Sequence, residues 1–148
     1  MNSFAGKRDK ERPPSQARQQ IPAALSIKEE RKTYSMRYLF QGDSITDWGR
    51  GNYDDPHATG CGYPRILEAE LTAENGDCEV LNCGISGSRV VDLLARWKKD
   101  CLNLKPDVLT IFIGVNDVWH ELGSQNGVAP ALFEEVYRIL LRETFAAL

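Results

Sequence analysis

Residues 37–44 read RYLFQGDS, a short run with strand character that leads directly into Gly42, Asp43 and Ser44. Gly-Asp-Ser is ordinary turn chemistry, because Asp and Ser bond to nearby backbone groups and Gly takes unusual dihedral angles. The alternative interpretation is a serine nucleophile held at the end of a strand. This stretch alone does not decide between the two, but the rest of the chain repeats its pattern.

The same transition from strand to loop occurs twice more. The strand CEVLN, residues 78–82, runs into the glycine-rich CGISGS, and the strand VLTIFIG, residues 108–114, runs into Val-Asn-Asp. The last strand is apolar on both faces, which predicts a position at the centre of a parallel sheet. Apolar residues at helical spacing follow each strand, in PRILEAELTAEN (64–75), VVDLLARWKKDCLNL (90–104) and ALFEEVYRILLRETFAAL (131–148).

The spacing also predicts which helix faces are buried. In the first helix the predicted face is Ile66, Leu67 and Leu71, and Gly76 is the stop signal. In the second helix it is Val91, Leu94, Trp97 (or Lys98), Cys101 and Leu102. A long loop through Gly123, Gly127 and Pro130 is predicted before the last helix.

The order β-α-β-α-β-α predicts an α/β fold with parallel strands, right-handed crossovers and helices on both faces of the sheet. In such sheets the ligand site lies beyond the carboxyl ends of the strands. Three loops with small or polar residues, Gly42–Ser44, Gly84–Gly87 and Gly114–Asp117, are therefore predicted to converge on one edge.

Length and composition are those of one soluble globular domain. The chain has 148 residues, of which 42% are hydrophobic and 26% charged. A net charge of −3 gives no indication of a nucleic-acid partner. No apolar run is long enough to predict a membrane span, and no apolar segment follows the basic N-terminal residues as in a signal peptide. A cytoplasmic location is predicted.

Residues 1–35 are predicted to be a flexible polar tail, and residues 36–148 the folded domain. The tail carries eight basic and four acidic residues, whereas the rest carries ten basic and 17 acidic residues. A basic arm for an acidic partner is the alternative, but the tail mixes both charge signs and has no interleaved aromatic residues. Met36 stands directly before the first strand and is an alternative start.

Four cysteines, Cys61, Cys78, Cys83 and Cys101, form no CxxC pair, and no histidine stands at metal-ligand spacing. This pattern disfavours a disulfide framework and a zinc site. Reduced thiols are predicted, with Cys78 and Cys83 packed as small hydrophobic side chains. No metal and no other cofactor is predicted.

The three loops contain residue types that acyl transfer needs, namely a nucleophile and donors for the developing oxyanion. Ser44 is the candidate nucleophile. Gly87 offers a backbone N–H without a side chain that would obstruct the substrate, and Asn116 offers a side-chain amide donor. A base that takes the serine proton is also required.

Three stretches, GDSITDWGR, NCGISGSR and GVNDVWHEL, resemble the first three sequence blocks of the SGNH (GDSL-type) hydrolase family, in the same order and one after each strand. The resemblance implies a flavodoxin-like three-layer α/β/α fold and serine-dependent hydrolysis of esters. It implies that Ser44 is the nucleophile and that Gly87, Asn116 and the backbone N–H of Ser44 are the oxyanion donors. The residues within the blocks are similar to those of bacterial acetylesterase-like and lysophospholipase-like members of the family.

One part of the family pattern is missing. The resemblance implies a late Asp-x-x-His block that supplies the base, and the chain contains no such block; its only histidines are His57 and His120. The fourth and fifth strands of the family sheet also lack a counterpart, so three β-α units are predicted. The chain is interpreted as an N-terminal fragment of a longer hydrolase or a truncated gene product, with impaired turnover.

Several polar residues near the blocks have a structural and a functional interpretation. Asp43 is predicted to bond loop backbone, and Asp117 to be a structural partner within the third loop. Asp47 and Arg50 are either a surface ion pair or part of the entrance to the acyl site. Arg89 either contacts substrate or is solvated in the first turn of its helix.

His120 lies four residues beyond Asn116 and is an alternative base, but no orienting carboxylate is evident from the sequence. Substrate contact or loop packing is the favoured interpretation. His57, in a glycine-containing loop, is a weaker candidate. Trp48 and Trp119 either line the acyl or alcohol pocket or pack over the loops.

The leading functional prediction is a serine esterase that acts on small-molecule esters, either acetylated carbohydrates or lysolipid-like substrates. The alternative is a non-catalytic flavodoxin-like module that binds an ester or a sugar. A nucleotide site is disfavoured, because the glycine-rich GISGSR lacks the GxGxxG spacing. The sequence does not indicate an oligomeric state.

Overall fold

The computed structural model describes residues 36–148, and the predicted tail of residues 1–35 lies outside the described residues. The division into tail and domain therefore stays a prediction. The elements in chain order are β1 (Met36–Gly42), α1 (Ser44–Asp47), α2 (Tyr63–Asn75), β2 (Cys78–Asn82), α3 (Val90–Asp100), a 3₁₀ turn (Leu102–Leu104), β3 (Val108–Phe112), α4 (Val115–Ser124) and α5 (Pro130–Ala147). The predicted alternation of strands and helices is confirmed.

The described strands form one parallel sheet in the order β2-β1-β3. Leu39 of β1 lies opposite Leu81 on one side and Leu109 on the other. The prediction of a central β3 is wrong, since β1 takes that place, and Val108 and Phe112 of β3 are 38% and 50% exposed. An apolar strand is compatible with either position, and the pairing on both edges of β1 decides between them.

Helices cover both faces of the sheet. Successive residues of a strand point to opposite sides, so neighbouring residues of β1 contact different helices. Leu39, 1% exposed, belongs to a core that includes Leu93 of α3 and Leu140 of α5. The next residue, Phe40, meets the ring of Tyr63 in α2 edge-on, with ring centroids 5.6 Å apart. The predicted three-layer α/β/α arrangement is therefore observed.

The buried face of α3 differs from the predicted one. Val90 and Leu93 are fully buried and Trp97 is 3% exposed, whereas Leu94 is 36% exposed. Trp97 and Cys101 were placed correctly, and Val91 and Leu102 are half-buried and pack against the core, but the fully buried row contains Val90 and Leu93 instead of Leu94. Two apolar rows of the sequence satisfy helical spacing, and the row that begins at Val90 is the one that packs against the sheet.

A pair of leucine variants tests this register. We expect Leu93→Ala to lower the free energy of unfolding by about 2–5 kcal/mol, because it leaves a cavity in the core. Leu94→Ala, at a partly exposed site, is expected to cost about 1 kcal/mol or less. Urea denaturation of both variants measures the difference, and equal losses would contradict the observed helix face.

Two other helices depart from the prediction. The predicted long loop after β3 contains α4, which begins at Val115 and ends at Ser124, and the next residue, Gln125, has the left-handed conformation. Gly123, read as a loop residue, lies within its last turn. In α2, Ile66 is 61% exposed, while Leu67 and Leu71 are half-buried as predicted.

The cysteines are free thiols, as predicted. Burial raises the pKa of Cys83 to about 11 and that of Cys101 to about 12, so both pack as protonated, apolar side chains. Cys78 is half-buried and Cys61 is exposed. Within residues 36–148, no helix has the length and apolar character needed to cross a membrane.

Candidate active site

Three segments meet at the carboxyl ends of the strands. The first loop, residues 42–50, follows β1; the second loop, residues 83–89, follows β2; and α4 follows β3 directly. The first two loops touch through their backbones, since a Cβ added at Gly84 would lie 2.6 Å from the Asp47 nitrogen. The backbone N–H of Ile85 also donates to the Gly42 carbonyl at 3.1 Å. The predicted convergence of the loops is observed for these two.

Ser44 opens the one-turn helix α1 and is half-buried. Asp43 is the N-cap, and its carboxylate accepts from the Ile45 N–H at 3.0 Å, so its predicted bond to loop backbone is confirmed. Among residues 36–148, neither the hydroxyl nor the backbone N–H of Ser44 has a hydrogen-bond partner. Both groups are therefore available to a ligand.

Gly87 has a backbone conformation that a side chain would strain, with φ of +81°, and a Cβ built on it would meet no atom within 4 Å. The space beside it is open. Its N–H finds no acceptor in the described part of the chain, whereas the neighbouring Ser88 N–H donates to the Ile85 carbonyl at 3.1 Å. Gly87 thus presents a free donor to an open space.

Asn116 lies in the first turn of α4, where its Nδ2 donates to the Ser88 carbonyl at 3.0 Å. A side-chain amide has two N–H donors, so this bond orients the group and leaves one hydrogen unused. Asn116 therefore ties the third segment to the second loop and retains a free donor.

Asp47 and Arg50 are neither a surface pair nor bonded to each other through their side chains. Asp47 is 3% exposed, and its Oδ2 accepts from the Ser86 N–H at 3.0 Å, from the Ser86 hydroxyl and from the Tyr53 hydroxyl at 2.8 Å. Arg50 is 6% exposed and donates to the carbonyl oxygens of Gly84, at 2.8 Å, and Tyr53, at 3.0 Å. Burial alone would raise the pKa of Asp47, but these hydrogen bonds outweigh it and lower the pKa.

Asp117 is a structural partner, as predicted, but it reaches outside its own loop. It is 3% exposed, and its two carboxylate oxygens accept from the Val90 N–H at 3.1 and 3.2 Å. The bond satisfies a backbone donor at the start of α3. Burial raises the pKa of Asp117 and outweighs the opposing effect of the Val90 bond.

A cavity of about 400 Å³ adjoins the second loop. Seven of the nine lining residues have polar side chains, and the lining consists of Ile85, Ser86, Gly87, Ser88, Arg89, Asp92, Arg96, His120 and Asn126. Arg89 is not solvated but half-buried, and it donates to Asp92 at 2.9 Å and to the Asn126 carbonyl at 2.8 Å. No group of three or more His, Cys, Asp or Glu within residues 36–148 is arranged to hold a metal ion.

The model of the GDSL-like lipase/acylhydrolase family matches residues 40–147. The chain belongs to this family. The matched segment contains Ser44, Gly87 and Asn116 in the blocks that the sequence analysis compared with the family. The family assignment and the α/β fold made from the sequence are therefore confirmed.

Two curated proteins of similar sequence are bacterial. An acetylxylan esterase of Geobacillus stearothermophilus is 43% identical over 90 residues, which are 57% of this chain and 41% of the esterase. The uncharacterized lipoprotein YqeF of Bacillus subtilis is 37% identical over 79 residues, 51% of this chain and 30% of the lipoprotein. The GDSL-like chain thus spans less than half the length of either relative, and its cytoplasmic location stays a prediction.

Solved structures agree with the fold. An acetyl xylan esterase from Geobacillus stearothermophilus superposes with a TM-score of 0.72 and 37% identity, over 78% of this chain and 57% of that one. An alpha/beta hydrolase from the metagenome of Lake Arreo, Spain, gives a TM-score of 0.72 and 34% identity with the same coverage. The solved forms of the Geobacillus esterase include catalytic mutants with a serine, an aspartate or a histidine replaced by alanine.

Neither histidine of the GDSL-like domain is bonded to Ser44 within the described residues. His57 is engaged elsewhere, with Nε2 2.9 Å from Glu79 and Nδ1 3.3 Å from Asp55. His120 lines the cavity, and its contact with substrate or loop stays a prediction. It does lie within electrostatic range of a carboxylate, Asp92, which the sequence did not reveal.

The tryptophans do not line the cavity. Trp48 and Trp119 are 64% and 69% exposed. Sequence reasoning also missed Tyr53 and Ser86, the two side chains that bond Asp47. Tyr53 lies six residues beyond Asp47 in an irregular loop, and a contact between two residues of an irregular loop leaves no periodic pattern in the sequence.

Opposite pKa shifts at Asp47 and Asp117 predict opposite responses to pH. For Asp47 the pKa lies below the ordinary value of 3.8, so its stabilising contribution is present above that pH and is lost as pH falls through the folded pKa. For Asp117 the pKa lies above 3.8, so stability declines as pH rises through the window that begins there. The charged or titratable groups around the two carboxylates are Arg50 and Tyr53 at Asp47, and Arg89 and Asp92 at Asp117.

We therefore expect the destabilisation by Asp47→Asn to grow as pH rises toward about 4, and that by Asp117→Asn to shrink as pH rises above about 4. Free energies of unfolding in urea, measured for the wild type and both variants between about pH 2.5 and 6, check the two trends. Parallel curves for the two variants would contradict the assigned shifts.

Proposed function

We propose that this chain carries the nucleophile and the oxyanion donors of a serine-dependent hydrolase of carboxylic esters. Ser44 is the nucleophile, and the backbone N–H groups of Ser44 and Gly87 and the Nδ2 of Asn116 are the oxyanion donors. The observation that carries this proposal is the set of unused donors: each retains a hydrogen without an acceptor among residues 36–148, although their neighbours are paired. Such preorganised donors stabilise charge that develops in the transition state.

The reaction follows from this arrangement. The Ser44 oxygen forms a bond to the ester carbonyl carbon and loses its proton to a base, while the carbonyl oxygen becomes an oxyanion that accepts from the three donors. When the tetrahedral species collapses, the bond to the alcohol breaks and the alcohol leaves with a proton. Water then attacks the acyl-serine, and the carboxylic acid is released.

Turnover by the chain is proposed to be weak. A serine hydroxyl is a poor nucleophile without a base, and the Ser44 hydroxyl has no hydrogen-bond partner in the described residues. A base added in solution, such as imidazole, is expected to raise the rate.

An acetylated carbohydrate is the favoured substrate class over a lysolipid. The similarity to an acetylxylan esterase supports this choice. The polar side chains that line the cavity next to Gly87 support it as well, since hydroxyl groups of a sugar find donors and acceptors there.

Three substrates test the proposal: p-nitrophenyl acetate, acetylated xylo-oligosaccharide and lysophosphatidylcholine, each with and without imidazole. We expect imidazole-dependent release of acetate from the first two. Saturable binding of the oligosaccharide without hydrolysis under any condition would instead identify a non-catalytic binding module and refute the esterase.

A further inference from the structure

The second loop is held at alternate residues. The Ser86 N–H is bonded to the Asp47 carboxylate at 3.0 Å, the Ser88 carbonyl to Asn116 at 3.0 Å, and the Val90 N–H to Asp117 at 3.1 Å. Gly87 lies between the first two of these contacts. A glycine has the widest conformational freedom of any residue, so its orientation depends on what fixes its neighbours.

Ser86 is the neighbour that influences the direction of the Gly87 N–H. The N–H of Gly87 belongs to the planar peptide unit that begins at the Cα of Ser86. Asp47 holds Ser86 through both its backbone N–H and its hydroxyl, and this double contact fixes the Ser86 Cα, where the peptide unit of Gly87 begins, relative to α1. A carboxylate forms stronger hydrogen bonds than a neutral acceptor, because the bonds are charge-assisted.

Asp47 also belongs to the nucleophile's own segment. It is the last residue of α1, the helix that Ser44 opens, and it is 3% exposed beneath an exposed Ser86. The carboxylate therefore joins the segment with the nucleophile directly to the loop with the oxyanion donor. If α1 moves without the second loop, or the second loop without α1, the buried hydrogen bonds between the Asp47 carboxylate and Ser86 are broken.

We propose that Asp47 is a positioning residue for the oxyanion hole: by bonding Ser86 twice, it fixes the direction of the Gly87 N–H relative to Ser44. This inference rests on the proposed esterase function for its catalytic meaning. The restraint on Gly87 itself is independent of that function, and it is measured separately.

Tyr53 provides the matched control. Its hydroxyl donates to the same carboxylate oxygen at 2.8 Å, from the segment that follows the first loop, and it also lies within hydrogen-bonding reach of the Ser86 side chain. Tyr53→Phe therefore removes the Tyr53 hydroxyl but leaves both bonds between Asp47 and Ser86. Asp47→Ala removes both bonds to Ser86, and Asp47→Asn retains an oxygen acceptor without the charge.

The test follows two signals in the wild-type and variant chains, at a temperature below the unfolding midpoint of each. The first is the amide resonance of Gly87 and its hydrogen-exchange rate in ¹⁵N-labelled protein. The second is the rate at which a fluorophosphonate reacts with Ser44 in the presence of imidazole, a reaction that forms an O–P bond, releases fluoride and transfers the serine proton to imidazole. We expect Asp47→Ala to shift the Gly87 resonance and slow the reaction at least about tenfold, Asp47→Asn to be intermediate, and Tyr53→Phe to stay within about twofold.

A Gly87 resonance and a reaction rate in Asp47→Asn equal to those in Tyr53→Phe would overturn the proposal. If Asp47→Ala does not fold, the comparison of Asp47→Asn with Tyr53→Phe decides it alone. If the wild type does not react at Ser44 even with imidazole present, the esterase proposal fails, and the Gly87 signal still decides whether Asp47 restrains the loop.

Discussion

Replacing Ser44 by alanine is expected to abolish labelling of the chain by a fluorophosphonate and all ester hydrolysis above the background of added imidazole. The reason is chemical, because Ser44 Oγ is the atom proposed to form the bond to phosphorus or to the acyl carbon, and alanine has no nucleophile at this place. The substitution removes a half-buried hydroxyl without a hydrogen-bond partner among residues 36–148, so the fold is expected to survive it.

A second serine serves as control. Ser124 is exposed, and its hydroxyl donates only to the His120 carbonyl of its own helix, so Ser124→Ala is expected to be labelled at the wild-type rate. Mass spectrometry of the labelled peptide identifies the modified residue, and the thermal unfolding midpoint confirms that both variants are folded. Labelling of Ser44→Ala at an undiminished rate would refute Ser44 as nucleophile.

Asn116→Ala is expected to lower the rate of reaction at Ser44 by about 100- to 1,000-fold, the usual effect of removing one oxyanion donor. The Nδ2 of Asn116 is oriented by its bond to the Ser88 carbonyl at 3.0 Å, so the donor needs no reorganisation when charge develops. Asn116→Asp keeps the size of the side chain but replaces a donor by an acceptor, and we expect at least the same loss.

The measurement is the second-order rate constant for fluorophosphonate labelling, corrected for any change in the folded fraction. Asn103→Ala, an exposed asparagine in the 3₁₀ turn, is the control and is expected to react at the wild-type rate. A loss of less than about threefold in Asn116→Ala would place the oxyanion donors elsewhere.

The features that sequence predicts best here are those that depend on local periodicity. The strands, α3 and α5 were located because apolar spacing is a property of neighbouring residues, and the three glycine-containing loops follow from the strands. The placement of β3 at the centre failed because strand order is decided by pairing between distant segments. The register of α3 failed because Val90 and Val91 fit the helical period equally well, and only packing against the sheet distinguishes them.

The candidate site also divides into residues that local sequence identifies and residues whose role depends on distant contacts. Ser44, Gly87 and Asn116 stand out because each follows a strand within a distinctive block. For Asp47 the sequence left two interpretations open, a surface ion pair and a place at the entrance to the acyl site, because it gives no sign that the partners come from residues 53 and 86. A buried carboxylate is satisfied by hydrogen bonds that the fold brings together, and the chain order does not encode such contacts in any local pattern.

The central position of β1 has a consequence for how the domain opens. Ladder hydrogen bonds restrain β1 on both edges, whereas within residues 36–148 β3 is paired on one edge only. Local unfolding begins where protection is weakest, so amide protons of β3 exchange with solvent sooner than those of Leu39 and Phe40. On warming, we therefore expect the segment with Asn116 to separate from Ser44 while β1 is still intact, and the proposed reactivity of Ser44 to decline before the global unfolding transition.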